Sequence, residues 1–558
     1  MTITEDAAVG DRGNDTGGAD LGRRLTEALI AIGDRAAVVG LDGTGVVTGN
    51  ELERRSRVAA HALLGTGAGR GSVVSIRQED RTEIVVSVLA ALRAGAAFCV
   101  VPLAYPEDRV RLIHDRIDPV RIVVASLDAD ADVDADADAL PERTPDDLAY
   151  VIFTSGTTGT PKAVQIADRG VQYIADRAEL YVGETIGQLA AMQFDASVFE
   201  ILGGLLNGMT VRQLDVETLV GPDGEAVLAA VDTLFLTTQL FNLLSARSPA
   251  ALAAVGLVLF GGERASARHV RDFLAARRDA ERRTEHGASR TPRLLHVYGP
   301  TETTVFATSW EVEGPFDDTV PIGRALDGAT SVVLDDDGAP VLDGEGELLV
   351  GGAGVMLGYR HDGAATDAAV VRIDGVPHYR TGDRVQIASD GLLTHLGRRD
   401  RQVKVSGFRV DLAEVEAAAA ALDGVQQVVA VQVDGQLRLY ATGTATARAL
   451  RTHLRATLPR HSVPTVERVR TIPLTPNGKT DVEALVEEAF QASSDEMLRA
   501  AIVRVLQVET VPHQATFVEL GGDSISAMDV VWQLDKAGIR VDVLDLLTLP
   551  VGSVRHAR

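Results

Sequence analysis

The nine residues 154–162, TSGTTGTPK, gather the group types that hold phosphate. Thr154, Ser155, Thr157 and Thr158 offer hydroxyls, Gly156 and Gly159 let backbone amides approach closely, and Lys162 brings an ammonium. The spacing is not GxxxxGK[ST] and Ala163 follows the lysine, so this is not a Walker loop. Taken alone, the cluster also suits an ordinary turn. A second stretch, LGGDSIS at 520–526, presents Ser524 at a helix start. A phosphodiester there would meet free N–H groups and the positive end of the helix dipole; the plainer reading is a helix cap. Lys479 sits in PNGKTD (476–481). An ammonium can stabilise negative charge built up at a phosphorus under attack, although a lysine after Asn-Gly also suits a solvated hairpin tip. Lysine occurs only at positions 162, 404, 479 and 536, with arginine carrying the remaining positive charge. Such sparing use hints that a compact ammonium is needed where lysine is kept.

A chain of 558 residues is too long for one core and predicts several domains. Its net charge of -25 argues against nucleic acid and against an anionic membrane surface. The lone Cys99 excludes a disulfide framework, and the N-terminal residues show no signal peptide, so a cytoplasmic protein is expected. The apolar run 84–105 contains Arg93 and Gly95 and reads as a buried helix, a glycine stop, then a strand over 97–101 rather than a membrane span. Residues 1–20, rich in Gly and Asp, are expected to be disordered. Over 21–397, strand-like runs (VVSI, FCVV, RIVVA, YVIFT, LVLF) alternate with Ala/Leu-rich helical stretches, which predicts a large α/β domain. LDADADVDADADAL (127–140) and RRDAERRTEHGASRTPR (277–293) read as solvated surface inserts. From GRRDRQVKVSGFRV (397–410) a turn, two short strands and a helix from about Leu412 open a small α+β domain over 398–490. QASSDE (491–496) reads as a polar linker, and 491–558 as a small all-α helix bundle, with Phe517, Leu520, Ile525, Met528 and Val531 as its apolar face around Ser524.

The whole of TSGTTGTPK resembles the signature of the adenylate-forming superfamily. HVYGPTETT, GELLVGGAGVMLGY, YRTGD, GRRDRQVKVSGFRVD and PNGKTD follow in that family's order. The resemblance implies the family's α/β large subdomain with a small α+β C-terminal subdomain, and LGGDSISAM implies a four-helix carrier domain of the peptidyl carrier type. It also implies ATP and Mg2+ as cofactors, and 4′-phosphopantetheine attached to Ser524. The phosphate loop would be 154–159 with Lys162. Tyr298 would pack on adenine, Thr301 donate to the α-phosphate, Glu302 help hold Mg2+, and Asp383 accept from the ribose with Arg398 nearby. Lys479 would carry the adenylation step. Asp400 would be the hinge that exchanges Lys479 for the 403–409 hairpin, including Gly407.

Family adenylation domains of nonribosomal peptide synthetases carry an aspartate that pairs with the substrate ammonium, and Asp195 in QFDASVFE matches it. The same local match lays out a pocket of Asp195, Ala196, Phe199, Leu234, Leu259, Gly261, Val297, Val305 and Phe306, closed by Lys479. Apart from Asp195 and Lys479 this lining is apolar, which implies a branched aliphatic amino acid, leucine or isoleucine before valine. Expected partners are that amino acid, a phosphopantetheinyl transferase, and a condensation or tailoring enzyme acting in trans. Small MbtH-like helper proteins assist some members, and the sequence leaves the need for one open. An acyl- or aryl-CoA ligase and a non-catalytic carrier scaffold are the rival readings. HDGAATDAAVV (361–371) and LPRHSVP (458–464) depart from the family pattern, the latter lacking a common Tyr-Met pair.

Overall fold

The computed structural model describes residues 20–127, 140–154, 161–283, 292–313, 316, 319–398, 402–405, 408–433, 435–473, 480–536 and 538–556. The expected phosphate-loop residues Ser155, Gly156, Thr157, Thr158 and Gly159, the expected hinge residue Asp400, and Gly407 and Lys479 lie outside them, as do residues 1–19 and most of the Asp-rich insert. The chain divides into two compact units, Met1–Val415 with Arg455–Val463, and Glu416–Leu454 with Pro464–Arg558. These divisions differ from the expected boundaries at 397/398 and 490/491.

The first unit is built on two α/β sheets. In the nine-stranded sheet, Arg293–Tyr298, Leu257–Gly261, Thr233–Thr237, Thr185–Gln188, Thr210–Gln213 and Ala36–Val39 run parallel side by side. Parallel strands covered on both faces must be apolar throughout, which is why LVLF and VVSI read as continuous hydrophobic runs. In the second sheet, Leu148–Thr154 and Lys162–Ala167 form an antiparallel hairpin with Thr154 opposite Lys162, so the two ends of the TSGTTGTPK loop are brought together. The apolar run near residue 90 folds as expected. Helix Arg81–Arg93 is capped by Asp80, which accepts from the amides of Thr82 (2.7 Å) and Glu83 (2.9 Å). Gly95 turns at φ 78°, and strand Ala97–Val100 follows. A third, antiparallel sheet carries Gly344–Gly352, Val376–Ile387 and Leu393–Arg398. The hairpin Gln402–Val405 and Phe408–Asp411 completes the unit's strands, followed by helix Leu412–Ala420. The basic insert is only partly a loop: helix Ala267–Arg283 runs into it, because RRDAERR holds strong helix formers and neither Gly nor Pro.

In the second unit, Val425–Val433, Gln436–Gly443 and Thr465–Arg468 make a three-stranded sheet. The expected linker at 491–496 is not a linker. It lies inside one helix of 25 residues, Val482–Leu506, which holds no Gly or Pro to end it. Leu485 and Ala489 of this helix pack with Val429, Val431 and Tyr440 of the sheet, whereas Leu498, Ala501 and Ile502 enter the core of the terminal bundle. That bundle adds helices Ser524–Asp535 and Val543–Thr548 and the single turn Val551–Ser553. Its buried face is Ala527, Val530 and Leu534, while Ile525 (71 % exposed) and Met528 (59 %) point to solvent. Of the expected face, Phe517, Leu520 and Val531 join this core, and only Ile525 and Met528 turn away from it. Phe517 fills the core against Gly522, where an added Cβ would fall 2.2 Å from its ring. Among the described residues no helix is long and apolar enough to cross a membrane.

Candidate active site

In parallel α/β sheets ligands collect beyond the C-terminal ends of the strands. Here Thr237, Gly261 and Tyr298 end three adjacent strands and open onto one cavity of about 640 Å³. The loop after Tyr298 is tightly pinned. Thr301–Thr303 is a 3-10 turn, and Thr304 (φ 58°) and Val305 (φ 65°) are consecutive left-handed residues. A β-branched residue pays heavily for that conformation, and such strain collects at functional sites. It is held by the Thr304 hydroxyl donating to Gly354 O (2.6 Å) and the Ala307 amide donating to Tyr298 O (2.8 Å). Gly299 has to be glycine, because a Cβ would fall 2.4 Å from Val305 O. The result turns Val305 and Phe306 into the cavity wall.

Asp195, Ala196, Gly261, Val297, Val305 and Phe306 line the cavity. Three other expected lining residues do not. Leu234 faces the opposite side of its strand, in the core with Leu236 and Phe260, and Phe235 lines the cavity instead. Successive strand residues point to opposite faces, so a one-residue slip exchanges wall for core. Leu259 and Phe199 are fully buried behind the wall, with the Phe199 ring 5.2 Å from that of Phe306. Nor is the lining wholly apolar, since Thr237 and Gln239 join it.

Asp195 stands at the start of the helical stretch beginning at Ala196. Burial pushes its carboxyl up to about 6; the Thr301 hydroxyl bond and the Ala196 amide pull it down, Glu302 pushes it up, and Lys404 pulls it down. Asp383, 3 % exposed, accepts from the Tyr298 hydroxyl (2.5 Å), Arg398 Nη1 (2.9 Å) and His395 Nε2 (3.2 Å). Burial opposes its charge, but the His395 bond and the charges of Arg398, His395 and Lys404 win and hold it well below the usual carboxylate range. Lys404 lines the same cavity, its Nζ 5.5 Å from the Tyr298 ring centroid.

Glu302 is buried, and its Oε1 accepts from the Tyr359 hydroxyl at 2.9 Å. Lys162 Nζ lies 4.8 Å from the centre of that tyrosine ring. Among the described residues no cluster of three or more His, Cys, Asp or Glu could hold a metal. Mg2+ asks for less: one carboxylate, substrate phosphates and retained water suffice, so the donor chemistry of Glu302 fits. The residues that sequence reasoning missed are Phe235, Tyr359 and His395. Tyr359 was in view at the end of GELLVGGAGVMLGY; His395 carried no local signal, because only the pairing of Val376–Ile387 with Leu393–Arg398 brings it to Asp383.

In the second unit Ser524 is exposed at the first turn of its helix. The cap is Asp523, which accepts from the Ser526 amide (2.9 Å), while Ser526 Oγ donates back to it. The Ser524 hydroxyl is therefore not spent on capping, which suits a residue that carries a prosthetic group.

A family model described as AMP-binding enzyme matches residues 28–360, more than half of the chain. The chain belongs to the AMP-binding enzyme family. A second model, phosphopantetheine attachment site, matches residues 496–551, around Ser524. This AMP-binding enzyme is 31% identical to bacitracin synthase 1 of Bacillus licheniformis over 551 residues, which is 90% of this chain and 10% of that one. It is 29% identical to tyrocidine synthase 1 of Brevibacillus parabrevis over 96% of this chain and 52% of that one. It thus spans a tenth and about half of these relatives. The solved structure of holo-PA1221, a nonribosomal peptide synthetase protein containing adenylation and PCP domains, superposes with a TM-score of 0.72 at 28% identity, covering 93% of this chain and 92% of that one. The combination is an adenylate-forming domain of the nonribosomal peptide synthetase type followed by a carrier domain. ATP with Mg2+ and 4′-phosphopantetheine are its cofactors.

Proposed function

We propose that this AMP-binding enzyme activates a branched aliphatic amino acid, leucine or isoleucine before valine, as the aminoacyl adenylate, and loads it onto its own carrier for nonribosomal peptide assembly. The observation that carries the reading is Asp195, a carboxylate on a wall that it shares with the apolar Ala196, Phe235, Val297, Val305 and Phe306 and the uncharged Thr237 and Gln239. An α-ammonium satisfies that carboxylate, and the aromatic side chains of Phe235 and Phe306, 5.3 Å apart, take the volume a larger side chain would need. An aryl acid offers no ammonium, which disfavours the ligase alternative.

In this reading the 154–159 loop and Lys162 hold the triphosphate, Tyr298 packs on adenine, and Asp383, oriented by Arg398 and His395, takes the ribose hydroxyls. Thr301 donates to the α-phosphate. Lys479 stabilises the charge formed as the carboxylate attacks phosphorus. Mg2+, when bound, neutralises phosphate charge beside Glu302. The 4′-phosphopantetheine on Ser524, installed by a phosphopantetheinyl transferase, supplies the thiol that accepts the acyl group. Asp400 is the hinge between the two steps, within functional domains spanning 21–397, 398–490 and 491–558. The loaded amino acid passes to a condensation or tailoring enzyme in trans.

Pyrophosphate exchange over all amino acids and a set of aryl acids tests this. Exchange strongest with leucine or isoleucine is expected; exchange with only charged or aromatic amino acids, or only aryl acids, would overturn it.

A further inference from the structure

Behind the substrate wall lies a buried acid that neither step of the reaction uses. Glu200 is fully buried in a π-helical turn, Phe199–Gly203, which interrupts the helical stretch begun at Ala196. Such turns hold an extra residue and gather at functional sites. The residue before it, Phe199, backs the wall through Phe306. Glu200 holds a different part of the wall, the segment 189–195. Its two carboxyl oxygens accept from the Ala190 amide at 3.2 and 3.0 Å. Gln188 Nε2 donates to Ala190 O at 2.6 Å and reaches Glu200 Oε2 at 3.4 Å, so both polar groups of Ala190 are held. Gln188 is itself tied down, because its carbonyl accepts from the Leu214 amide at 2.9 Å. Ser197, three residues before Glu200, holds the far end of the segment. Its hydroxyl contacts Phe194 O at 2.7 Å and Met192 O at 3.3 Å. Leu189, Ala190 and Ala191 line the cavity at one end of the segment, and Phe194 and Asp195 at the other. One helical stretch thus pins both ends of a wall segment that finishes on Asp195. Burial pushes the Glu200 carboxyl up to about 8, against the pull of the Ala190 amide, Gln188 and the charge of Arg81. Near neutral pH it is chiefly the neutral acid, whose carbonyl oxygen accepts from an amide as a carboxamide does.

We propose that Glu200 is a positioning residue for the amino acid: by clipping Ala190 from behind the wall it fixes the segment 189–195, and with it the place of Asp195. The proposal rests on the function proposed above, in which Asp195 meets the substrate ammonium. Glu200 touches neither substrate nor nucleotide and acts only through the segment. Without the clip the Ala190 amide loses its acceptor, and the wall is anchored only at the Ser197 end. Asp195 then meets the ammonium less often in the productive geometry. The nucleotide contacts of Asp383 lie on other strands and are untouched.

The test uses the full chain and measures pyrophosphate exchange with whichever amino acid exchanges best, taking the KM for amino acid and the KM for ATP separately. Thermal melting checks that each variant is folded. Glu200→Ala is expected to raise the amino-acid KM at least about tenfold while the ATP KM moves less than about twofold. Glu200→Gln, which keeps an oxygen for the Ala190 amide, stays within about twofold of the unsubstituted protein in both. Glu200→Asp is one methylene too short to reach Ala190 and raises the amino-acid KM by about three- to tenfold; it carries the test should the alanine variant fail to fold. An unchanged amino-acid KM in Glu200→Asp, a parallel rise of both KM values, or a glutamine variant as impaired as the alanine one would each overturn the proposal alone. No exchange with any amino acid in the unsubstituted protein would instead overturn the function on which it rests.

Discussion

The Tyr359 hydroxyl donates to Glu302 Oε1 across 2.9 Å while the same ring carries the Lys162 ammonium 4.8 Å from its centroid. One side chain thus joins the residue expected to hold Mg2+ to the last residue of the expected phosphate loop. Removing the hydroxyl leaves a buried carboxylate short of a donor. Tyr359→Phe is expected to raise the Mg2+ concentration for half-maximal pyrophosphate exchange by about tenfold, as loss of an outer-shell partner does. A Mg2+ titration checks it, and an unshifted midpoint would separate Tyr359 from the metal.

Leu234 and Phe235 sit side by side yet face different environments. Leu234→Ala empties a fully buried core position and should cost about 2–5 kcal/mol in denaturant unfolding while leaving substrate preference alone. Phe235→Ala should instead widen the substrate wall and let phenylalanine support exchange. The opposite pattern would reassign the strand's faces.

The Asp195 carboxyl, pushed up to about 6 chiefly by burial, sets the sign of a pH effect. Only the ionised carboxylate attracts an ammonium, and the ionised fraction falls as pH drops through that value. The apparent KM for the amino acid should be flat above about pH 7 and rise by about tenfold per pH unit well below 6. Exchange kinetics from pH 5 to 8 measure this. Asp195→Asn should abolish the slope and raise KM throughout; a flat wild-type profile would mean that Asp195 does not meet the ammonium.

The helix Val482–Leu506 carries the sheet-packing residue Ala489 and the bundle residue Leu498 on one rigid element. Proteases should therefore spare 491–496. A proline there removes a hydrogen bond and clashes with the preceding turn, at a cost of about 3 kcal/mol. Ser494→Pro should open the segment to cleavage, read by gel and mass spectrometry, and easy cleavage of the unsubstituted protein would contradict a continuous helix.

The sequence by itself determined the chemistry-bearing strings and their order. Capping stretches and buried parallel strands are local, so the helix start at LGGDSIS, the α/β alternation and the helix–glycine–strand at Arg81–Val100 were all legible. It also pointed to Asp195, Tyr298 and Asp383, because those residues sit inside strings that resemble the family's motifs. Only the tertiary structure decided which of two neighbours, Leu234 or Phe235, faces substrate, since strand direction depends on register with other strands. It alone brought His395 to Asp383, Tyr359 to Glu302, and His461 to Phe194, pairs far apart in the chain that no local pattern couples. It also turned a polar linker into helix, because packing at both ends of Val482–Leu506 outweighs the polarity between them.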